Sequence, residues 1–408
     1  MKTPLFGGSN GAPSTSAVNY VSIVGALTPT PVGTETSRQC VVPAAFTLSN
    51  LYVTLNNAPA GTASYKFTVR KNGVDTLLAV TITGSATNGA DTADSVSFAA
   101  GDTISLSVTP TSTPTAPTYF LWNLQADSGG THFAPLMGGA QATSNLSTSA
   151  VTYAALYGSS STSVTWDATE SHQEIICPTG GTISNLYVVS ETAPGTSKSY
   201  AIALVQNGSI TALSATVTGS SGKTGNDTSH SITVAAGDTL SIAATPTGTP
   251  TVGRYSWGFQ FTPTKPGESF FGFGASDSPG NTSTQYEAPS AVGAGVFSGT
   301  ETSRQLMPGA CLMTAFYAAL GTAPGGVTTR TLTLRRGAIS SPLAIPFTGV
   351  GVSGNVLGQN VGLCQADLLS IQAAETGTPA TDTGGVHMGV LMFIPVASQS
   401  VSEFLEFM

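Results

Sequence analysis

GTETSRQ at residues 33–39 and GTETSRQ again at residues 299–305 divide this 408-residue chain before any strand is assigned. The two copies lie 266 positions apart, so a middle copy is expected near residue 166. It is there as ATESHQ, residues 168–173, one position shorter by this alignment. The match spreads in both directions. PLFGG (4–8) returns as PLMGG (135–139) and more loosely as FFGFG (270–274). STSAVNY (14–20) returns as STSAVTY (147–153), and LSNLYV (48–53) as ISNLYV (183–188) and LMTAFY (312–317). FAAGDTISL (98–106) returns as VAAGDTLSI (234–242) and LCQADLLSI (363–371). A unit of about 130 residues is too long for a solenoid repeat, which makes these tandem whole domains. The boundaries read 1–130, 131–265 and 266–397, with an apolar tail over 398–408; the third copy is the most diverged.

Each unit reads as β. Leu51, Val53 and Leu55, then Tyr65, Phe67 and Val69, then Ile104, Leu106 and Val108 alternate with polar residues. That period of two turns one face inward and the other to water. Lys71-Asn72-Gly73 and Gln206-Asn207-Gly208 mark tight hairpins, since both turn residues tolerate positive φ, and Arg335-Arg336-Gly337 holds the third place. About eight strands per unit favour a jelly roll over a seven-stranded immunoglobulin sandwich. The fold class is therefore all-β: three tandem antiparallel β-sandwich, jelly-roll-like domains.

Charged residues make up only 8% of the chain and its formal net charge is −8. With no basic run, a phosphate-tracking nucleic-acid site is not expected. No apolar stretch is long enough to span a membrane, and the start, MKTPLFGGSNGAP, lacks the apolar core of a signal peptide. Cys40, Cys177, Cys311 and Cys364 show no metal-ligand spacing and read as buried free thiols. His132, His172, His230 and His387 fall in no metal signature. No catalytic residue, metal site or cofactor is expected.

GTETSRQ holds a carboxylate and a guanidinium, so catalysis has to be weighed. The basic position changes from Arg38 to His172 to Arg304 while the acidic one stays as Glu35, Glu170 and Glu301. Arginine cannot serve as a base at neutral pH, which excludes three equivalent acid–base sites. The expectation is a structural joint: a loop feeding a strand, fixed in each copy by pairing Glu35 with Arg38, Glu170 with His172 and Glu301 with Arg304. Asp91, Asp94, Asn226 and Asp227 read as turn formers rather than a calcium site. Trp122 and Trp257 occupy matching strand positions and read as core, whereas Trp166 has no counterpart and is the freer candidate for stacking on a ligand. The tail residues Phe404, Leu405, Phe407 and Met408 belong to no repeat and read as an anchoring element for assembly.

At Gly101, Asp102, Ile104 and Leu106, and again at Gly237, Asp238, Leu240 and Ile242, the chain resembles jelly-roll modules of the C1q/TNF type. The third copy keeps Asp367, Leu369 and Ile371 with Ala366 in the glycine's place. Such modules commonly trimerise, which implies a homo-oligomer or an intrachain pseudo-trimer; the residues leave ring and rod both open. The tandem, Ser/Thr/Gly-rich texture is similar to virion structural proteins of tailed bacteriophages, of the decoration (cement) or tail-appendage type. That resemblance implies a non-enzymatic structural protein on the capsid or tail, made in the host cytoplasm, with other virion subunits as partners. The alternative is a receptor-binding or adhesin module recognising a host surface glycan.

Overall fold

A computed structural model describes residues 1–9, 11–25, 31–140, 146–157, 166–275, 279–287, 297–301, 305–365, 367–382 and 385–394. The expected tail, with Phe404, Leu405, Phe407 and Met408, and the expected joint residue Arg304 lie outside them. The described chain is built of strands, with short 3-10 turns at Glu35–Ser37, Gly129–Thr131 and Glu170–His172.

The first domain contains β1 (Lys2–Ser9), β2 (Asn19–Val21), β3 (Cys40–Val41), β4 (Phe46–Leu55), β5 (Ser64–Lys71), β6 (Val74–Thr83), β7 (Asn88–Phe98), β8 (Thr103–Thr111) and β9 (Phe120–Asp127). The second contains β10 (Ala134–Ala140), β11 (Thr152–Ala155), β12 (Ile175–Ile176), β13 (Gly181–Ser190), β14 (Gly195–Gln206), β15 (Ser209–Gly219), β16 (Thr224–Val234), β17 (Thr239–Thr247) and β18 (Tyr255–Pro263). The third contains β19 (Glu268–Ala275), β20 (Gln285–Glu287), β21 (Gln305–Leu306), β22 (Cys311–Leu320), β23 (Gly325–Arg336), β24 (Ile339–Gly349), β25 (Ser353–Val356), β26 (Val361–Leu363), β27 (Leu368–Thr376) and β28 (Val386–Phe393).

Six antiparallel sheets pair into three sandwiches. In the first domain one sheet runs β1-β9-β4-β7 and the other β2-β8-β5-β6, with β3 beside β8. Apart from the β5–β6 hairpin and the short β2 and β3, successive strands cross between the sheets, in jelly-roll order. The second domain repeats it as β10-β18-β13-β16 and β11-β17-β14-β15, and the third as β19-β28-β22-β25 and β20-β27-β23-β24. In the third domain the outer strand is broken into β25 and β26, both paired with β22.

The expected alternation holds where it was read: Leu51, Val53, Tyr65, Phe67, Val69, Ile104, Leu106 and Val108 are all fully buried. Asn72 and Gly73 have φ of 51° and 79°, and Asn207 and Gly208 of 50° and 76°, the paired left-handed residues of a type I′ hairpin. The repeated Ser-Asn-Leu-Tyr marks a β-bulge, where Asn50 and Asn185 sit at φ 56° and 52°.

The domains meet through equivalent strands. β18 of the second packs on β3 of the first, β28 of the third on β12 of the second, and β9 of the first on β21 of the third. The order is head to tail and returns to its start. Met137 of β10 joins the apolar core of the first domain, and Phe6 of β1 joins the core shared by the second and third. There Phe6 meets Phe271 edge-on, with ring centroids 5.2 Å apart.

Candidate functional site

The acidic residue of the repeated loop makes different contacts from those expected. Glu35 does not pair with Arg38. Its carboxylate accepts from Arg70 on β5 (Nε to Oε1 2.8 Å, Nη2 to Oε2 3.0 Å) and from the Ser105 hydroxyl on β8 (2.8 Å). Arg70 and Ser105 are cross-strand neighbours, so one carboxylate ties two strands of the β2-β8-β5-β6 sheet to the loop. The third domain repeats this: Glu301 accepts from Arg335 (2.9 and 3.2 Å) and from Ser370 (2.6 Å), itself the neighbour of Arg335. Tyr20 and Tyr286 close the joints, each with the arginine's guanidinium carbon 5.4 Å from its ring centre.

The second domain keeps half of the device. Ser241 donates to Glu170 at 2.7 Å, but its cross-strand neighbour is Val205 where the other domains carry arginine. Glu170 does not pair with His172 either. His172 pairs with Asp167, Nδ1 to Oδ2 at 3.0 Å. The 3-10 turns superpose in sequence as Glu35–Ser37 and Glu170–His172, which puts His172 in the place of Ser37 and Gln173 in that of Arg38. The short copy is therefore the third: Glu35 to Cys40 and Glu170 to Ile175 each span five positions, Glu301 to Gln305 four.

The freed residues reach the seams between domains. Arg38 is buried, and its pKa is lowered to about 10 by burial and by the neighbouring Arg254 of the second domain, against the opposing pull of Glu191. Arg254 itself holds Glu191 at 2.6 Å. Nearby, Ser256 donates to the Gln39 carbonyl at 2.7 Å. At the next seam the same register position carries His387, whose Nδ1–H donates to the Glu174 carbonyl at 2.7 Å. The third seam has Leu121 at that position; there Asn50 of the first domain donates to the Pro308 carbonyl at 3.1 Å, and Gln365 to the Tyr52 hydroxyl.

Glycine sets how close two of the seams come. A Cβ on Gly258 would lie 3.0 Å from Pro43 Cδ, and one on Gly389 2.9 Å from the carbonyl carbon of Ile176; each would be nearer still to a carbonyl oxygen. At the third seam Asn123 replaces them, fully buried, with its Oδ1 lacking a hydrogen-bond partner.

The proton affinity of Glu170 is moved into the physiological range. Burial raises its pKa to about 7; the hydrogen bond from Ser241 opposes this, a side-chain hydrogen bond to Glu174 reinforces it, and His387 lowers it. Glu174 in turn accepts from Thr239 Oγ1 at 2.9 Å.

The second repeated motif locks to the hairpin. Asp102 accepts from Asn72 Nδ2 (2.7 Å) and from the Ala99 amide (2.7 Å), while Asn72 Oδ1 takes the Thr103 amide (2.8 Å). Asp238 and Asn207 repeat the set. Asp91 and Asp227 cap their bulges and also accept the Ala79 and Ser214 amides of the adjoining edge strand, at 2.9 and 3.1 Å. Asp91, Asp94, Asn226 and Asp227 lie inside β7 and β16 rather than in the turns expected of them, and Asp91 and Asp227 stitch the two sheets of their sandwiches together. Among the described residues no group of three or more His, Cys, Asp or Glu side chains is placed to hold a metal ion.

Trp166 is a correction. It is fully buried, edge-on against Trp257 with centroids 5.8 Å apart, and offers no platform to a ligand. Trp122 and Trp257 are core residues whose indole N–H groups donate to the Ile23 and Leu156 carbonyls at 2.9 and 2.8 Å. All four cysteines are free, but Cys364 is exposed. A cleft of about 630 Å³ lies where the second and third domains meet, lined by Thr179, Lys265, Glu268, Tyr317, Leu357 and Asn360 among others.

No protein-family model matches the chain, and no curated protein matches its sequence. A solved structure described as the triple jelly-roll fold and turret assembly of an archaeal virus aligns over 96% of this chain and 89% of that one, at 9% identity and a TM-score of 0.16. At that score the likeness carries no argument.

Proposed function

We propose that this chain is a non-enzymatic assembly protein, an intrachain counterpart of a jelly-roll trimer that serves as a structural component of a tailed-phage virion, on capsid or tail. The observation that carries the reading is the head-to-tail order of the seams, β18 on β3, β28 on β12 and β9 on β21. One polypeptide thereby makes the contacts that three separate subunits of a trimer would make. The repeated polar motifs are consumed in holding loops to sheets, and the seams are joined by apolar packing, by hydrogen bonds to backbone carbonyls and, at the third, by the Gln365–Tyr52 side-chain bond. Attachment to other virion subunits by the same means would be insensitive to salt. The apolar segment around Phe404, Leu405, Phe407 and Met408 is proposed as the element that anchors the unit.

Two measurements test this. A compact closed monomer has a radius of gyration of about 22 Å, whereas three such domains in a rod give roughly 30 Å; light scattering with small-angle X-ray scattering separates them. Mass spectrometry and immunogold labelling of purified particles from the producing host should find the chain on the virion. It should stay bound in about 1 M salt, where the Debye length is about 3 Å, and be lost when Ser398–Met408 is removed. Absence from particles would overturn the virion assignment.

A further inference from the structure

The three seams are built on one plan but differ in what can ionise. At the first, Gln39 precedes the receiving strand and Ser256 donates to its carbonyl, while Glu35 behind it is neutralised by Arg70. At the second, Glu174 stands in the place of Gln39 and His387 in that of Ser256, and Val205 has replaced the arginine that would neutralise Glu170. The result is two carboxylates held by hydroxyls two positions apart on β17, Glu170 by Ser241 and Glu174 by Thr239, with Val205 in the arginine's place and a histidine of the next domain on the Glu174 carbonyl.

The surrounding charges are already engaged. On the same loop Asp167 and His172 pair at 3.0 Å. Asp238, at the start of β17, accepts from Asn207 at 2.9 Å and from Gln206 at 2.7 Å. β14 contributes Val205, β17 the hydroxyls of Thr239 and Ser241, and β28 His387.

We propose that the seam between the second and third domains is a proton-operated latch, in which a proton on Glu170, beside the Glu174 carboxylate, keeps the seam closed and its loss loosens that seam alone. The physical cause is repulsion plus desolvation. Once Glu170 is ionised beside the Glu174 carboxylate, its charge is better hydrated with β28 lifted away, and the contact at stake is the bond from His387 to the Glu174 carbonyl. The inference goes beyond the assembly role and stands or falls separately from it.

The sign follows from linkage. A carboxyl that is protonated more readily in the closed fold contributes stability that is complete below its ordinary pKa of 4.5 and lost as pH rises through about 7. The repeat supplies its own control variants, each converting the second seam to the chemistry of the first. Glu174→Gln restores the residue at Gln39, and Val205→Arg restores the guanidinium at Arg70. The test measures guanidinium unfolding of the full chain, and hydrogen exchange of the β12 and β28 amides corrected for intrinsic rate, from pH 5 to pH 9. The wild-type chain should lose roughly ten- to a hundredfold in the protection of those amides across that range, a reduced expectation because the carboxylates are partly solvated. The β3 and β18 amides of the first seam should change little, and Glu174→Gln should flatten the profile. Val205→Arg should do the same; if it fails to fold, Glu174→Gln decides. Equal pH dependence at both seams, or an unchanged profile in Glu174→Gln, would overturn the latch.

Discussion

Gly389→Ala tests the seam geometry most directly. The added Cβ would stand 2.9 Å from the carbonyl carbon of Ile176 and 3.3 Å from Pro178 Cδ. Carbon atoms in ordinary contact are about 3.5–4.0 Å apart, so β28 and β12 must separate by roughly 0.6 Å or more. The obstruction is backbone, and no rotamer change relieves it. Overpacking of this kind costs about 1–3 kcal/mol, and the upper end is expected because neither partner can swing aside. That is a large part of the 5–15 kcal/mol by which domains are typically stable. The control is Gly362→Ala on β26, where a Cβ would meet nothing within 4 Å; it should be neutral or slightly stabilising. A second comparison is Asn123→Ala at the third seam, which removes an unpartnered buried carbonyl and should cost less than about 1 kcal/mol. Guanidinium midpoints at constant m-value provide the energies, and hydrogen exchange locates the loss at β12 and β28. A Gly389→Ala chain with the wild-type midpoint and unchanged exchange at those strands would refute the close approach.

Three further outcomes follow from the joints and cores. Glu35→Gln should destabilise the first domain by about 1–2 kcal/mol because the partly buried Arg70 keeps Asp75 but loses the Glu35 carboxylate, whereas Glu170→Gln should be nearly neutral at pH 5, where the second joint has no arginine to strand; paired unfolding curves at that pH decide. For Asp227, burial acts to raise the pKa but is outweighed by hydrogen bonds from Ser214, Ser229 and His230, which hold it well below the carboxylate range. Its contribution is present above the ordinary pKa of 3.8 and lost as pH falls, so Asp227→Asn should flatten the acid limb of a stability–pH profile. Trp166→Ala should cost about 3–5 kcal/mol as a fully buried aromatic, with loss of the near-ultraviolet circular dichroism of the Trp166–Trp257 pair; a stable variant with that signal intact would contradict the packing.

The repeat and the β class were legible because they are written in letters and in a period of two, both local properties. The partners of the joint were not. Glu35 meets Arg70 and Ser105, which lie 35 and 70 positions along the chain, on strands whose register sets the meeting. A signal was nevertheless present. Glu and the Ser of the Asp-Thr-x-Ser or Asp-Leu-x-Ser step recur in all copies, as Glu35 with Ser105, Glu170 with Ser241 and Glu301 with Ser370. Aligning on charge instead matched His172 to Arg38 and placed the shortened spacing in the wrong copy. Arg38 was not legible because its charged neighbour Arg254 comes from the next domain, and Trp166 because it lies in a stretch without periodicity and meets Trp257 of its own domain only through the fold.

Divergence among the seams is the physical consequence of writing three domains in one chain. In a trimer of identical subunits a substitution enters all three interfaces at once, so a buried asparagine, an ionisable pair or a lost arginine is imposed three times. Here each is confined to one seam. Asn123 stands at the third where the others need glycine, Glu174 and His387 at the second, and Gln39 and Ser256 at the first. Two seams join domains that are consecutive in sequence, and the third closes between the first and last domains by noncovalent contact alone. It is also the seam where Asn123 leaves a buried oxygen unpartnered.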